Sequence, residues 1–262
     1  MQAVDQLHRA IEFNFPPKRI ISLVPSQSEL LWHLGLQNEL VGITKFCIHP
    51  DELFRSVTRV GGTKELKFDV IEKLKPDLII ANKEENEQEQ ILSLCERYPV
   101  WISDIYTMED AYEMMRGLGE ITNRKEQAKQ LVETIENKHA HFKNQRRRSQ
   151  KSVAYLIWKN PYMAGGHDTF IDHLLGECGL ENIFTNEKSR YPEVTTQMLL
   201  DKKPDLIFLS SEPYPFKEKH IEELQKHLPD SKIILVDGEM FSWYGNRLLH
   251  AFDYFKELLA KI

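Results

Sequence analysis

The sequence predicts an α/β protein of two similar parallel-sheet lobes joined by one long α-helix. Three observations carry this. Lys75-Pro76-Asp77-Leu78-Ile79-Ile80 recurs as Lys203-Pro204-Asp205-Leu206-Ile207-Phe208, 128 residues later, and Glu84 falls in register with Glu212. Short apolar runs alternate with helical periodicity in both halves, the pattern of parallel strands covered by helices. Between the copies, Arg124 to Arg147 holds no Gly or Pro and places Ala128, Leu131, Val132, Ile135 and Phe142 at helical spacing, with His139 on the same stripe. Some 25 residues at 1.5 Å each give roughly 37 Å of helix. The expected plan is an N-terminal lobe over 1–122, a connecting helix over 123–150 and a C-terminal lobe over 151–262.

Each element follows from local signals. Arg19 to Val24 is a buried strand ended by Pro25, and Ser26 with Glu29 reads as a capping box for a helix through Leu36. Glu39–Thr44 and Leu78–Ile80 are strands, with a helix over Asp69–Leu74 before Pro76. Glu87–Glu96 is a helix, Val100–Ile102 a strand and Met108–Gly119 a helix. The second half repeats the rhythm. Strands fall at Val153–Trp158, Leu206–Leu209 and Ile233–Val236; helices fall at Thr169–Gly176, Val194–Lys202, Lys217–His227 and Asn246–Leu259.

Two similar lobes joined by a stiff helix are the plan of a protein that binds a ligand in a cleft between lobes. A helical linker resists large hinge motion, so a small opening and closing is expected. Composition agrees with a globular binder: 41% hydrophobic and 10% aromatic residues, and a net charge of −6 that gives no reason to expect nucleic acid. The one basic run, Arg146-Arg147-Arg148, falls where it would complement the C-terminal end of the helix dipole. Cys47, Cys95 and Cys178 are odd in number and without a CxxC, which fits a reducing compartment or plain buried hydrophobes. One disulfide with a free thiol stays open. Residues 1–15 contain Asp5 and Glu12, no apolar run of signal length and no lipoprotein cysteine. The expected location is therefore the cytoplasm, or the periplasm or cell surface if a leader has been removed. No apolar run is long enough to embed the chain in a membrane.

Ligands of parallel α/β sheets bind beyond the carboxyl ends of the strands. The candidate ligand-binding residues there are Ser26, Lys45, Phe46, Thr63, Lys64, Asn82, Lys83 and Glu84 in the first lobe. In the second they are Tyr162, Met163, His167, Arg190, Tyr191, Glu212, Tyr214, Glu239, Trp243 and Tyr244. Flat aromatic faces suit large planar ligands, and charges of both signs suit peripheral amides or carboxylates. The plain alternative is ordinary loops with solvated charges. His49 and His167, with Glu84, Glu212 and Glu239, could converge on a bare metal, but the sequence has no HExxH and no tight His/Cys spacing, so such a site would be assembled across the cleft. No GxSxG elbow, P-loop or GxGxxG follows the first strand. Glu84 and Glu85 are adjacent on an extended segment and would point apart, which argues against a shared-proton dyad.

These residues resemble a known family. Arg19 to Ser26 with Glu29-Leu30, the Lys-Pro-Asp-Leu-Ile phrase in each lobe, the long helix and Gly176 to Phe184 are similar to class III substrate-binding proteins, the helical-backbone metal receptors. The likeness spans the chain and is nearest to cobalamin-binding proteins of ABC importers. It implies a solute-binding protein, not an enzyme, that holds a corrinoid-like or other metal-chelate ligand of cobalamin, siderophore or haem type and requires no cofactor. The family's binding positions fall on Phe46, Thr63, Asn82, Met163, Tyr191 and Glu239. Half of the aromatic positions carry polar or softer residues, which leaves room for a more polar or differently shaped ligand. The family's permease-docking glutamates fall on Asp69 and Gln197, one shortened and one neutral, so a permease partner is expected to be met with altered carboxylates. The alternatives are a direct transition-metal receptor and an enzyme acting on a cleft-bound metabolite.

Overall fold

The computed structural model describes residues 1–146 and 151–262. Arg147 and Arg148 of the basic run lie outside the described residues. The chain divides into two compact units. Unit 1 is Met1–Ile105, Glu109–Glu136 and Tyr244–Arg247; unit 2 is Tyr106–Met108, Asn137–Trp243 and Leu248–Ile262. The sequence reading sets 123–150 apart as a connector, whereas packing shares that helix between the units.

Unit 1 opens with an antiparallel hairpin of β1 (Gln2–Val4) and β2 (Ala10–Glu12). Then come β3 (Ile20–Ser22), α1 (Pro25–His33), β4 (Leu40–Ile43), α2 (Asp51–Ser56), β5 (Thr58–Arg59), α3 (Phe68–Leu74) and β6 (Leu78–Asn82). It continues with α4 (Gln88–Cys95), β7 (Val100–Ser103), α5 (Met108–Ile121) and α6 (Lys125–Gln145). The sheet has the order β5-β4-β3-β6-β7 and is parallel throughout. Helix α1 carries no side-chain cap: Val24 is its N-cap and Pro25 opens it, so Ser26 already lies inside the first turn. The expected capping box is therefore not formed, and Glu29 instead receives both arms of Arg247 at 3.0 and 3.1 Å.

Unit 2 holds β8 (Ser152–Trp158), β9 (Tyr162–Ala164), α7 (Phe170–Glu177), β10 (Glu181–Asn182), β11 (Glu193–Val194) and α8 (Thr196–Lys202). After these come β12 (Leu206–Ser210), α9 (Glu218–Gln225), β13 (Lys232–Val236), α10 (Gly238–Ser242) and α11 (Leu248–Leu259). Its sheet runs β11-β9-β8-β12-β13, with β10 also on β8. The β8, β12 and β13 strands are parallel, as expected; β10, which the sequence reading does not contain, is also parallel to β8, and β9 and β11 add an antiparallel edge.

The repeated phrase is a joint. Lys75 and Lys203 both end a helix in the left-handed conformation, at φ 47° and 46°. The proline that follows prevents the helix from continuing. The aspartate then fastens the neighbouring strand: Asp77 accepts the backbone N–H groups of Lys18 and Arg19 at 2.7 and 2.8 Å, ahead of β3. Asp205 accepts the N–H and hydroxyl of Ser152, both at 2.7 Å, at the start of β8. Helix end, strand start and neighbouring strand are thus set by three residues.

The long helix buries Ala128, Leu131, Val132, Ile135, His139 and Phe142, as its spacing predicts. Its unit 2 half is held by polar contacts as well. His139 stacks on Phe252 with centroids 4.9 Å apart, and its Nε2 lies 2.9 Å from Glu177. Lys143 reaches the same carboxylate at 3.2 Å, and Arg146 donates to the Gly176 carbonyl at 2.7 Å. Burial works against charge on Glu177, but the hydrogen bonds and charges of His139 and Lys143 outweigh it and hold its pKa at about 2 against an ordinary 4.5. A folded pKa below the unfolded one adds stability that is present above pH 4.5 and lost as pH falls towards 2. Glu177→Gln is expected to cost roughly 1–2 kcal/mol at pH 7. Urea unfolding of the two proteins at pH 7, 4 and 3 should show that gap closing with acid; a gap constant with pH would refute the assignment.

Candidate functional site

In each unit the chain order reverses beside a central strand. Unit 1 builds outward through β4 and β5 from β3, then returns to its other side with β6 and β7. Unit 2 does the same around β8, with β9 and β11 on one side and β12 and β13 on the other. Such reversals leave a gap at the carboxyl ends of the two central strands, where ligands of open α/β sheets bind. The candidate residues gather at these ends, and the two units use them differently.

In unit 1 the gap is closed by a polar network. Asn86 donates its side-chain amide to the carbonyls of Leu23, beyond β3, at 3.1 Å and of Thr63 at 3.2 Å, and accepts the Asn82 N–H at 2.9 Å. Asn82, only 3% exposed, accepts the N–H groups of Glu84 and Glu85, both at 2.9 Å, and donates to the Ser103 hydroxyl at 2.9 Å and carbonyl at 3.2 Å. The Gln27 amide donates to that same hydroxyl. Asn82 thus holds strand ends together with both ends of its amide. Ser26 and Tyr244 are also buried. Burial first, then the charges of Glu85 and Glu84, pushes the Tyr244 phenol's pKa well up. Cys47 is buried against the hydroxyls of Ser28 at 3.1 Å and Thr44 at 3.2 Å, and burial raises its thiol pKa.

Outside this network lies an exposed surface. Phe46 is 48% exposed, with the Lys45 ammonium 5.1 Å from its ring centre. A Cβ on Gly62 would stand 3.2 Å from that ring and 3.3 Å from Cε of Lys45, so the ring and the lysine lie directly on the glycine backbone. Lys64 donates to the Glu84 carbonyl at 2.8 Å, and Lys83 pairs with Asp104 at 2.6 Å. Thr63 is half-buried and His49 half-buried beside them in sequence.

Unit 2 gathers a carboxylate site and an aromatic one. Glu212, half-buried after β12, accepts from the Ser242 hydroxyl at 2.7 Å and the Trp243 indole N–H at 2.8 Å. Glycine is required at 238, where a Cβ would stand 2.3 Å from the Ser210 hydroxyl and 2.7 Å from Cγ of Glu212. Burial raises the Glu212 pKa, and the charges of Glu239 and Asp237 add to the rise against the two hydrogen bonds. Trp243 is 7% exposed with its N–H in use, so it builds the Glu212 site rather than presenting an open ring face. Tyr191 and Tyr106 flank the guanidinium of Arg190, at 5.8 and 5.0 Å, and Arg190 donates to the Asp168 carbonyl at 2.6 Å. His167 is tied to Asp168 at 2.9 Å. Met163 lies opposite Glu193 on the antiparallel edge.

The aromatic group stands at the gap itself. Tyr214 packs edge-on against Trp158 at 5.7 Å and against Phe216 at 4.8 Å, and Tyr162 stacks on Phe216 at 6.4 Å. Trp158 and Tyr106 escape a sequence reading. The first ends an apolar run and reads as the last core residue of its strand. The second has no motif around it; only its place just after β7 could point to it.

Among the described residues, no three His, Cys, Asp or Glu stand where they could share a metal ion. Asp69 is exposed in the first turn of α3, 3.4 Å from Lys73, and Gln197 is exposed at the same register of α8, donating to Asp201 at 2.9 Å.

Residues 20–230 match the family model described as periplasmic binding protein, and the chain belongs to that family. The class III resemblance is borne out, and the family is one of binding proteins. The chain is 27% identical to the vitamin B12-binding protein of Photorhabdus laumondii subsp. laumondii over 237 residues, 90% of this chain and 85% of that protein. Its fold superposes on the periplasmic vitamin B12 binding protein of Vibrio cholerae with a TM-score of 0.80 at 20% identity, covering 95% of this chain and 98% of that one. The periplasmic heme binding protein of Vibrio cholerae superposes with a TM-score of 0.78 at 20% identity, over 92% and 98% of the two chains. Among the described residues no helix is long and apolar enough to cross a membrane.

The buried charge of Glu212 makes a prediction. A carboxyl whose folded pKa is raised is best tolerated when protonated, so its contribution is favourable below the unfolded pKa and lost as pH rises through the folded one. Glu212→Gln keeps an acceptor for Ser242 and Trp243 and removes that charge. The variant is expected to melt above the parent protein at pH 8, with the difference narrowing at pH 4. A variant that melts lower at pH 8 would show the charge to be required.

Proposed function

We propose that this chain is a solute-binding protein for a corrinoid or another metal chelate, recognised through the carboxyl-end loops of its strands. The observation that carries the reading is the exposed Phe46 with Lys45 on the Gly61-Gly62 turn, in a member of a binding-protein family. An exposed ring beside a cation suits a flat ligand with polar substituents. Arg190 between Tyr106 and Tyr191 supplies the same pairing of ring and cation in unit 2. Relatives named for vitamin B12 and heme support a large planar chelate.

Titration with cyanocobalamin, cobinamide, haemin and a ferric siderophore, followed by isothermal calorimetry, tests this directly. One of the four is expected to bind saturably at micromolar concentration or tighter. Phe46→Ala should then weaken that ligand by about 1–3 kcal/mol, or roughly 5- to 150-fold. Heatless, non-saturating titrations with all four would remove the reading.

The partner is an importer permease that meets this chain through Asp69 and Gln197. A neutral amide where docking favours a carboxylate slows charge-steered encounter. Gln197→Glu is expected to raise the association rate with the cognate permease severalfold at low salt and hardly at all in 0.5 M salt, by surface plasmon resonance. An equal effect in both salts would argue against docking by charge.

A further inference from the structure

We infer that Trp158 is a ligand-contacting residue that presents a ring face at the gap of unit 2 and so selects for a planar conjugated group in the ligand. The inference rests on the binding reading above and adds a residue outside the positions already considered.

Strand pairing locates it. Leu78 pairs with Ile20 in unit 1, and its repeat partner Leu206 pairs with Val153 in unit 2. Counting along the strands, Trp158 corresponds to Pro25, and along the repeat Tyr214 corresponds to Asn86. The same place in the two units thus holds different chemistry. Asn86 is 4% exposed and seals the gap of unit 1 with hydrogen bonds to Leu23 and Thr63. Tyr214 makes no such seal with its side chain; it stands edge-on to a tryptophan that is 41% exposed.

Exposure at this position has a cost that core packing does not repay. A tryptophan left open to water forgoes much of the stabilisation its burial would bring. Trp101 and Trp243 are 2% and 7% exposed, so the fold does bury indoles where they serve as core. Trp158 is nevertheless packed on one side. Tyr214 fixes one side, Phe216 backs Tyr214, and His220 closes on Phe216 edge-on at 5.5 Å. A ring already packed on one side loses less further entropy when a ligand stacks on it. The adjacent ammonium of Lys159 is already paired with Glu223, at 2.5 Å, so the contact on offer is the ring face. Its complement is a flat conjugated surface, such as a macrocycle or an aromatic substituent of the chelate.

The test uses the whole protein with cyanocobalamin, cobinamide and haemin. Hydroxyl-radical footprinting of the parent protein, read by mass spectrometry at Trp158, should show severalfold less oxidation with saturating ligand. Trp158→Ala should weaken the bound ligand roughly 5- to 150-fold, while Trp158→Phe keeps most of the affinity and both variants melt as the parent does. A bound ligand that leaves Trp158 oxidation unchanged overturns the inference, even if Trp158→Ala loses affinity by misfolding. Absence of binding by the parent protein to any probe overturns the functional reading, and this inference falls with it.

Discussion

The structure depends on one joint used twice. A helix must end, and a strand must begin in register beside a strand from another part of the chain. The left-handed lysine, the proline and the aspartate do all of this in three residues. The two conformations agree within one degree of φ. The aspartate matters most, because it takes up N–H groups that the neighbouring strand leaves unpaired at its first residues. Hydrogen bonds from Ser152 also keep the carboxyl of Asp205 below its usual pKa, so the charged form is the one that anchors. Once β6 and β12 are fixed to β3 and β8, the carboxyl ends of the central strands are aligned, and everything at those ends inherits its position.

That alignment explains why the joint repeats while the strand ends do not. A joint has one solution in backbone terms, and both units use it. The opposite end of the same strand differs between the two units. There Asn82 and Asn86 give way to Ser210 and Tyr214. In unit 1, Gln27 and Asn82 donate to the Ser103 hydroxyl and Asn86 ties backbone groups of three segments, while Phe46 and Lys45 stay exposed. Buried polar groups cost stability unless they are paired; Asn82 and Asn86 use both ends of their amides, whereas the Gln27 side-chain carbonyl is buried without a partner. In unit 2 the network is replaced by rings, and Glu212 uses its carboxylate on Ser242 and Trp243.

Much of this was legible in the sequence. The repeat, the alternation of strand and helix and the uninterrupted stripe from Ala128 to Phe142 are local signals with a single physical meaning. The hidden parts are those decided by distant partners. Ser26 and Glu29 have capping-box spacing, yet Pro25 starts the helix two residues early and Arg247 claims the glutamate from far along the chain. The strands β5, β9, β10 and β11 are two or three residues long, too short to show any period. At the strand ends the sequence locates residues but not their exposure. Asn82 and Trp243 have the right address and are consumed by the fold, while Trp158 looks like core and is open.

The division of labour at the strand ends follows from what each residue type can do when partly buried. An amide in a dry gap must find both donors and acceptors, so it serves as a tie. A carboxylate there suffers desolvation, and the raised pKa of Glu212 shows that its two hydrogen bonds only partly offset this. A ring suffers no such penalty and can stand half in water with its edge packed. Phe46 and Tyr191 each have a cation beside the ring, and the Arg190 guanidinium is also held by the Asp168 carbonyl. On the reading proposed above, a ring with a cation beside it discriminates by shape and flatness before charge, the selectivity that suits a large chelate with a modest peripheral charge.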